Sequence, residues 1–599
     1  MKFKYFFCIG FAFFYFIFKN LNIGKLSCGI NKLIDENFFV FDSNSIEKVE
    51  SHIYGYSISD KGILTDNYFK QINKYQEPEP LGTYVMIIKF GKEIRLYQDF
   101  HGSIGIYIYE NKNSGYFAIS NSFLLLEQYL IGKENISFNK DFADNFVIST
   151  LVSYSINETM INEIIQIPSN AYVVINDKKK LELHYKDYKE NTIPLESNEG
   201  LKLIDRWMNK WGYIIRSINK KTHNFSFDLS GGFDTRLLLT ILLNSGINLS
   251  SILINTFRDK YHGHDEDLSI ANNISSKYKF KLNNKNLDGK SIIFNEKDAI
   301  FFTIYSKLGF HKQFYLRDRY FINPIFSFTG GGGETLRGAP CLPIEKFIKS
   351  ISYNDINGHK EEFYNSSLKF LHRNIDLLKK IKKKNDDYEI SFELYKIAFG
   401  KNHFGKGALE AFFANIYMID PLMDPDIKKI KYNLKGNYLH DLIAYIYVHY
   451  AHDLIYFPFQ GNRSLDSESL QKAEKLNNEY KPYKISDDYN KDFFIDTQRK
   501  GPFIQRKAIR NPYEHLKKLF NSYEYYNIVK EVYDDNVYKW AKEYSKNNLF
   551  QPLTHEYGLL AVFLVKELLS VNEKCMKISD KENCFLETKK RINYLYNYY

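Results

Sequence analysis

Residues 230 to 235 read Ser-Gly-Gly-Phe-Asp-Thr and join an alternating run, 224 to 229, to an apolar helix start, 236 to 243. A strand, a tight glycine turn and a helix N-terminus together make an anion site. The glycines Gly231 and Gly232 let backbone N–H groups come close to phosphate oxygens, and the helix dipole adds favourable potential. The hydroxyls of Ser230 and Thr235 supply further donors. Asp234 is the odd member, because an acid beside a polyphosphate repels it. A bridging Mg²⁺ resolves the conflict, since hard divalent cations take carboxylate and phosphate oxygens together. No lysine closes the turn, so it is not the GxxxxGK[ST] loop. The plainer alternative is an ordinary strand-to-helix turn capped by Asp234. A second glycine stretch, FTGGGGETLRG at 328 to 338, follows the strand-like run Ile325–Phe328. Its run Gly330 to Gly333, followed by the acid Glu334, could be a flexible joint or the backbone wall of an active site.

Three zones of the chain would have to position these turns. Up to about residue 190, short alternating segments with turn residues between them predict a β-rich layer, with strands at 84 to 90, 104 to 109, 116 to 120 and 171 to 175. The polar segment 189 to 200 reads as a linker. From about 200 to 340, strands alternate with helical stretches, which predicts a parallel sheet with crossover helices. Beyond 340 the periodicity is mostly helical.

LSGGFDTR, from Leu229 to Arg236, resembles the pyrophosphatase loop of the asparagine synthetase family, usually written SGGxDS. The segment 251 to 257, with Ile254, resembles the family's next sheet strand, which lines the adenine pocket. His264 to Ala271 resembles the helix after it, and Asp420-Pro421-Leu422-Met423-Asp424-Pro425 the downstream P-[FL]-[LM]-D element. FTGGGGETLRG resembles the second signature, SGxGxDExxGG, with Glu334 on the metal-binding acid. Two positions depart from that pattern. Gly331 stands where asparagine synthetases carry Glu and β-lactam synthetase relatives carry Tyr, and Thr335 replaces a Glu. Arg499-Lys500-Gly501-Pro502-Phe503 resembles the region where a family lysine steadies the adenylate; Lys507 is the rival for that role.

The segment 81 to 188 resembles the glutaminase half of the same family. Arg95 to Gly102 resembles its R-D-x-x-G stretch, Phe117 to Asn121 its F-A-S strand, and 165 to 171 its I-x-P-G segment. Glutaminase chemistry uses an N-terminal cysteine thiolate with the free α-amino group as base. Here residue 2 is Lys2, and Cys8 lies inside the chain. The elements HRGPD and NGE are missing, so this half is expected to be an inactive scaffold.

The resemblance implies α/β and α+β architecture in two domains. Residues 1–190 would form Ntn-hydrolase-like β-sandwich layers, and 200–599 a parallel-sheet ATP pyrophosphatase domain with a helical extension. It implies an AMP-forming carbon–nitrogen ligase that takes ATP, Mg²⁺, a small-molecule or peptide carboxylate and an amine donor. Aspartate is the default acceptor, with a sugar acid or a peptide closed by a lasso-type or β-lactam-type cyclase as alternatives. A catalytically silent nucleotide-binding scaffold is the rival from another class. Homodimerisation stays open.

The bulk numbers fit this picture. The 599 residues are 44% hydrophobic and 25% charged, which describes a globular chain long enough for two domains. The net charge of +10 comes from 81 basic and 71 acidic residues, thin for this length and without the stripe that nucleic acid requires. The densest basic run, 379 to 384, reads as a solvated helix face. His262, His264, Asp265 and Asp267 could pass for a metal cluster, but read more simply as a polar loop entering a helix. Five widely spaced cysteines indicate neither a zinc site nor a disulfide framework, so a reducing compartment is expected. The apolar run 5 to 18 lacks a small-residue cleavage site and falls short of the roughly 20 residues that span a bilayer. It is read as a buried strand, which makes the chain cytoplasmic.

Overall fold

The computed structural model describes residues 37–69, 80–148, 151–186, 192–256, 264–283, 291–293, 304–308, 319–321, 323–337, 342–349, 361–383, 386–402, 404–431, 440–480, 493–495, 519–533, 535–539, 554–577, 587 and 591. The apolar run 5–18, Cys8, His262, Lys500 and Lys507 lie outside the described residues.

The first half forms two antiparallel sheets. One contains β1 (Val40–Asp42), β6 (Tyr107–Asn111), β7 (Tyr116–Ser120) and β8 (Ile164–Gln166) in the order β1-β7-β6-β8. The other contains β2 (His52–Ser59), β3 (Gly62–Leu64), β4 (Gly82–Phe90), β5 (Glu93–Gln98), β9 (Ala171–Ile175) and β10 (Leu181–Tyr185) in the order β10-β9-β5-β4-β2-β3. Side chains alternate across a strand, and β4 uses both faces. Val85 and Ile87 join one core cluster with residues of the first sheet, while Tyr84, Met86 and Ile88 join a smaller cluster behind. The two sheets therefore pack as layers. The expected strands 116 to 120 and 171 to 175 are present with those bounds. The one expected at 104 to 109 begins instead at Tyr107, after Gly105 turns at φ +88°.

The expected linker is partly structured. Residues 187–191 are outside the description, but β11 (Ile193–Pro194) pairs in parallel with β18 (Ile430–Lys431). Then α1 (Asn198–Lys221) begins, its Ser197 cap accepting a hydrogen bond from the Gly200 N–H. This helix buries Trp207, Trp211, Ile214, Ile215 and Ile218, an apolar stripe at helical spacing. The indoles reach the turn after the sheet: Trp207 donates to the Pro421 carbonyl at 3.0 Å and Trp211 to Asp424 Oδ2 at 2.9 Å. Lys210 Nζ completes the Asp424 pocket at 2.9 Å.

The second half holds a four-stranded parallel sheet of β12 (Phe225–Asp228), β13 (Leu253–Asn255), β16 (Ile325–Phe328) and β17 (Ile416–Ile419), in the order β13-β12-β16-β17. Between them, β14 (Ser291–Ile293) and β15 (Arg319–Phe321) form an antiparallel pair. Helix α2 (Phe233–Asn244) follows β12 and α3 (Asp265–Tyr278) follows β13. Later come α4 (Glu361–Lys382) and α5 (Thr554–Lys577).

The halves do not own separate cores. One cluster unites both antiparallel sheets with buried residues of α4 and α5; a second unites the parallel sheet and α1 with Tyr56, Ile58, Leu81 and Phe100. Tyr56 also donates to the Met418 carbonyl at 2.8 Å. Among the described residues no helix is long and apolar enough to cross a membrane. Cys575 is disulfide-bonded, a pairing that the cysteine spacing did not indicate. Wide spacing carries no pairing signal, because pairing depends on what the fold brings together.

Candidate functional site: a crevice between two glycine turns

The chain leaves β12 for β13 on one side, then crosses back to β16 on the other. Open parallel sheets bind ligands at the carboxyl ends of strands where the order reverses in this way. Both glycine turns leave the sheet there, one from β12 and one from β16. They touch. A Cβ on Gly330 would lie 3.1 Å from Asp234 Cβ and from the Thr235 amide nitrogen, and one on Gly333 would lie 2.2 Å from Asp234 Cγ. Side chains at these positions would push the turns apart. Gly332 is at φ +82°, a left-handed conformation, and starts the single helical turn Gly333–Leu336.

The first turn is tied down internally. The Ser230 N–H donates to Thr235 Oγ1 at 3.0 Å, Gly232 N–H to Ser230 Oγ at 3.2 Å, and Gly231 N–H to Asp267 Oδ1 at 2.6 Å. The glycine amides are thus taken, contrary to the simple picture of glycines cradling an anion. What the turn presents instead is the start of α2, whose Gly232 cap offers no side-chain hydrogen bond. Uncapped N–H groups at a helix start are ready donors for an anion.

Charge gathers at this crevice. Arg337 grips Asp234 with two parallel hydrogen bonds, Nε to Oδ1 at 3.0 Å and Nη2 to Oδ2 at 2.9 Å. Burial, with the Asp234 charge adding to it, raises Glu334 from 4.5 to about 7; Lys428 and Arg337 oppose the rise. Glu334 Oε1 is buried and has no hydrogen-bond partner among the described residues. Lys428 Nζ bonds Thr335 Oγ1 and sits 5.1 Å from the Phe100 ring centroid, so the first half closes one side of this cluster. On the other side, burial raises Asp228 and Asp420 to about 6 each, and the Asp228 charge adds to the effect on Asp420.

A buried cation holds the turn from behind. Arg236 is 0% exposed, and its guanidinium donates to the carbonyls of Leu454, Phe457, Pro458 and Gly231 at 3.2, 3.0, 2.6 and 3.4 Å. It lies 3.7 Å from the Phe459 ring centroid, at cation–π distance. The Gln460 N–H donates to the Gly231 carbonyl at 3.1 Å and its Nε2 to Asp267 Oδ2 at 3.0 Å. Asp267 and His264, whose Nδ1 is 3.2 Å away, thus brace the turn. Among the described residues no group of three or more His, Cys, Asp or Glu is placed to hold a metal.

Ser230, Gly231, Gly232, Asp234, Thr235, Gly330, Gly331 and Glu334 all meet at the crevice. Leu229 and Ile254 are buried in the core cluster beneath it. Gly331 lies against Asp420. The residues missed from the sequence are Arg337, Lys428, Asp228 and Asp420. For a cation, the unpartnered Glu334 oxygen fits, and so does the acidic pair it forms with Asp234, although Arg337 already engages both Asp234 oxygens. Two carboxylates cannot fill a Mg²⁺ shell, and such ions commonly take one or two carboxylates plus substrate phosphates. No protein-family model matches the chain, and no curated protein matches it either.

Proposed function

We propose that the chain is an ATP-dependent amide-forming synthetase. A substrate carboxylate attacks the α-phosphate of ATP to give an acyl-adenylate and pyrophosphate, and an amine then displaces AMP. The observation that carries this reading is the convergence of the two glycine turns at the reversal point of the parallel sheet, with Asp234 and Glu334 electrostatically linked between them. The uncapped start of α2 and the Ser230 and Thr235 hydroxyls would hold phosphate oxygens. Asp234 and Glu334 would hold Mg²⁺, which when bound neutralises charge on the departing pyrophosphate. Arg337 would release part of its grip on Asp234 and turn to the phosphates, for which its fork is suited. Lys500 remains the proposed cation for the adenylate. The antiparallel first half would serve as an Ntn-hydrolase-like scaffold without glutaminase activity.

One observation favours a catalytically silent scaffold instead: Arg337 and Asp267 occupy groups that a nucleotide site would use. An ATP–pyrophosphate exchange assay over a panel of carboxylates separates the two readings. Exchange that disappears in Asp234→Ala supports the synthetase. ATP binding without exchange on any carboxylate supports the scaffold.

A further inference from the structure

The pairing of β16 with β17 ends with Phe328 opposite Ile419, so Thr329 and Asp420 leave the two strand ends side by side. The Thr329 hydroxyl donates to Asp420 Oδ1, and the Gly331 N–H donates to Thr329 Oγ1 at 3.2 Å. These bonds hold the Asp420 carboxylate over Gly331. A Cβ on Gly331 would lie 2.7 Å from Asp420 Oδ1, 2.9 Å from Cγ and 3.2 Å from Oδ2. The glycine therefore makes room for an acid supplied by another strand. Asp420 and Gly331 are both part-buried, and the Thr329 and Gly331 contacts place the carboxylate beside the second glycine turn.

We propose that Asp420 is the base of the amide-forming step, oriented by Thr329. This inference rests on the adenylation reading above. The free amine attacks the carbonyl carbon of the acyl-adenylate, and a C–N bond forms as the carbonyl electron pair moves to oxygen. The Asp420 carboxylate takes a proton from the nitrogen, which has become cationic. The carbonyl then reforms, the C–O bond to phosphate breaks, and AMP leaves with the bonding pair. Adenylation itself moves no proton from nitrogen, so it does not need this base. A general base works best with a pKa near the operating pH, and burial raises Asp420 towards that range. The groups that bear on it are Asp228 from β12 and the Tyr56 phenol from β2. The first adds to the rise; the second is held by the Met418 carbonyl.

The test uses the full chain and the carboxylate that gives the fastest ATP–pyrophosphate exchange. Exchange and amide formation are measured for wild type, Asp420→Asn and Thr329→Val. The amine is ammonium chloride or hydroxylamine, whose nitrogen is more nucleophilic and less basic. Asp420→Asn should retain exchange while amide formation from ammonium falls roughly 10²- to 10⁴-fold, the usual contribution of a general base. Hydroxamate formation should fall much less, and Thr329→Val should give a smaller loss of the same pattern. Amide formation from ammonium at the wild-type rate in Asp420→Asn overturns the assignment alone. So does loss of exchange in step with amide formation, because that marks a structural role. Absence of exchange in the wild type overturns the adenylation reading, and the base with it.

Discussion

Glu334→Gln removes a titrating group without changing its shape, and the structure fixes what should follow. Burial and the Asp234 charge raise Glu334 from 4.5 to about 7. A carboxyl raised in the fold contributes most to stability below its unfolded value and loses that contribution as pH rises through the folded value. The window is therefore about pH 4.5 to 7. At 1.36 kcal/mol per unit, the wild type should lose about 3 kcal/mol relative to Glu334→Gln across it. Urea denaturation followed by tryptophan fluorescence reads this directly. Trp207 and Trp211 lie in α1 and contact the Pro421–Asp424 turn at 3.0 and 2.9 Å, within the half that carries Glu334. The two proteins should have similar midpoints near pH 4.5, and the variant should be the more stable at pH 8. Parallel midpoints from pH 4.5 to 8 would refute the reasoning, because Glu334 would then ionise as readily in the fold as in the open chain. Adding ATP and Mg²⁺ at pH 8 should narrow the gap, since a cation against Glu334 favours the charged form that burial penalises.

Two further outcomes are expected. Arg236→Met should destabilise the protein by about 3 kcal/mol or more, because the Gly231, Leu454, Phe457 and Pro458 carbonyls lose a buried donor; urea midpoints at neutral pH measure it. Gly333→Ala should cost about 1 to 3 kcal/mol and depress ATP–pyrophosphate exchange more than stability, because its Cβ would displace Asp234 from a contact of 2.2 Å. Wild-type exchange in that variant would show that the close approach of the turns is not required.

Local structure was legible where a short window determines it. Alternation marked Tyr116–Ser120 and Ala171–Ile175, and glycine marked both turns. The strand Ile416–Ile419 was not legible: it is four residues long, follows the helix Phe404–Phe413, and is entered through Asn415 at φ +62°. Missing it meant missing the neighbour of Thr329. From sequence, Gly331 showed only an absent side chain, whereas the parallel register brings Asp420 into that space. The Asp234–Arg337 pair spans 103 positions, and Arg236 finds three of its four carbonyls more than 200 positions away. Such partners follow from tertiary packing, which no local pattern encodes. The segment 189 to 200 looked like a linker because its polarity is local, while its pairing with Ile430–Lys431 is not.

The Gly132 N–H donates to Asn572 Oδ1 at 2.7 Å across 440 positions, and α5 packs into the cluster that holds the antiparallel sheets. On the ribosome, at roughly 5 to 20 residues per second, that helix emerges about 20 to 90 seconds after the strands it covers. The early sheets must wait that long with an apolar face uncovered. Their exposure to chaperones and to aggregation is therefore set by the rate of translation, and slowing synthesis between the two segments should lower the yield of folded chain.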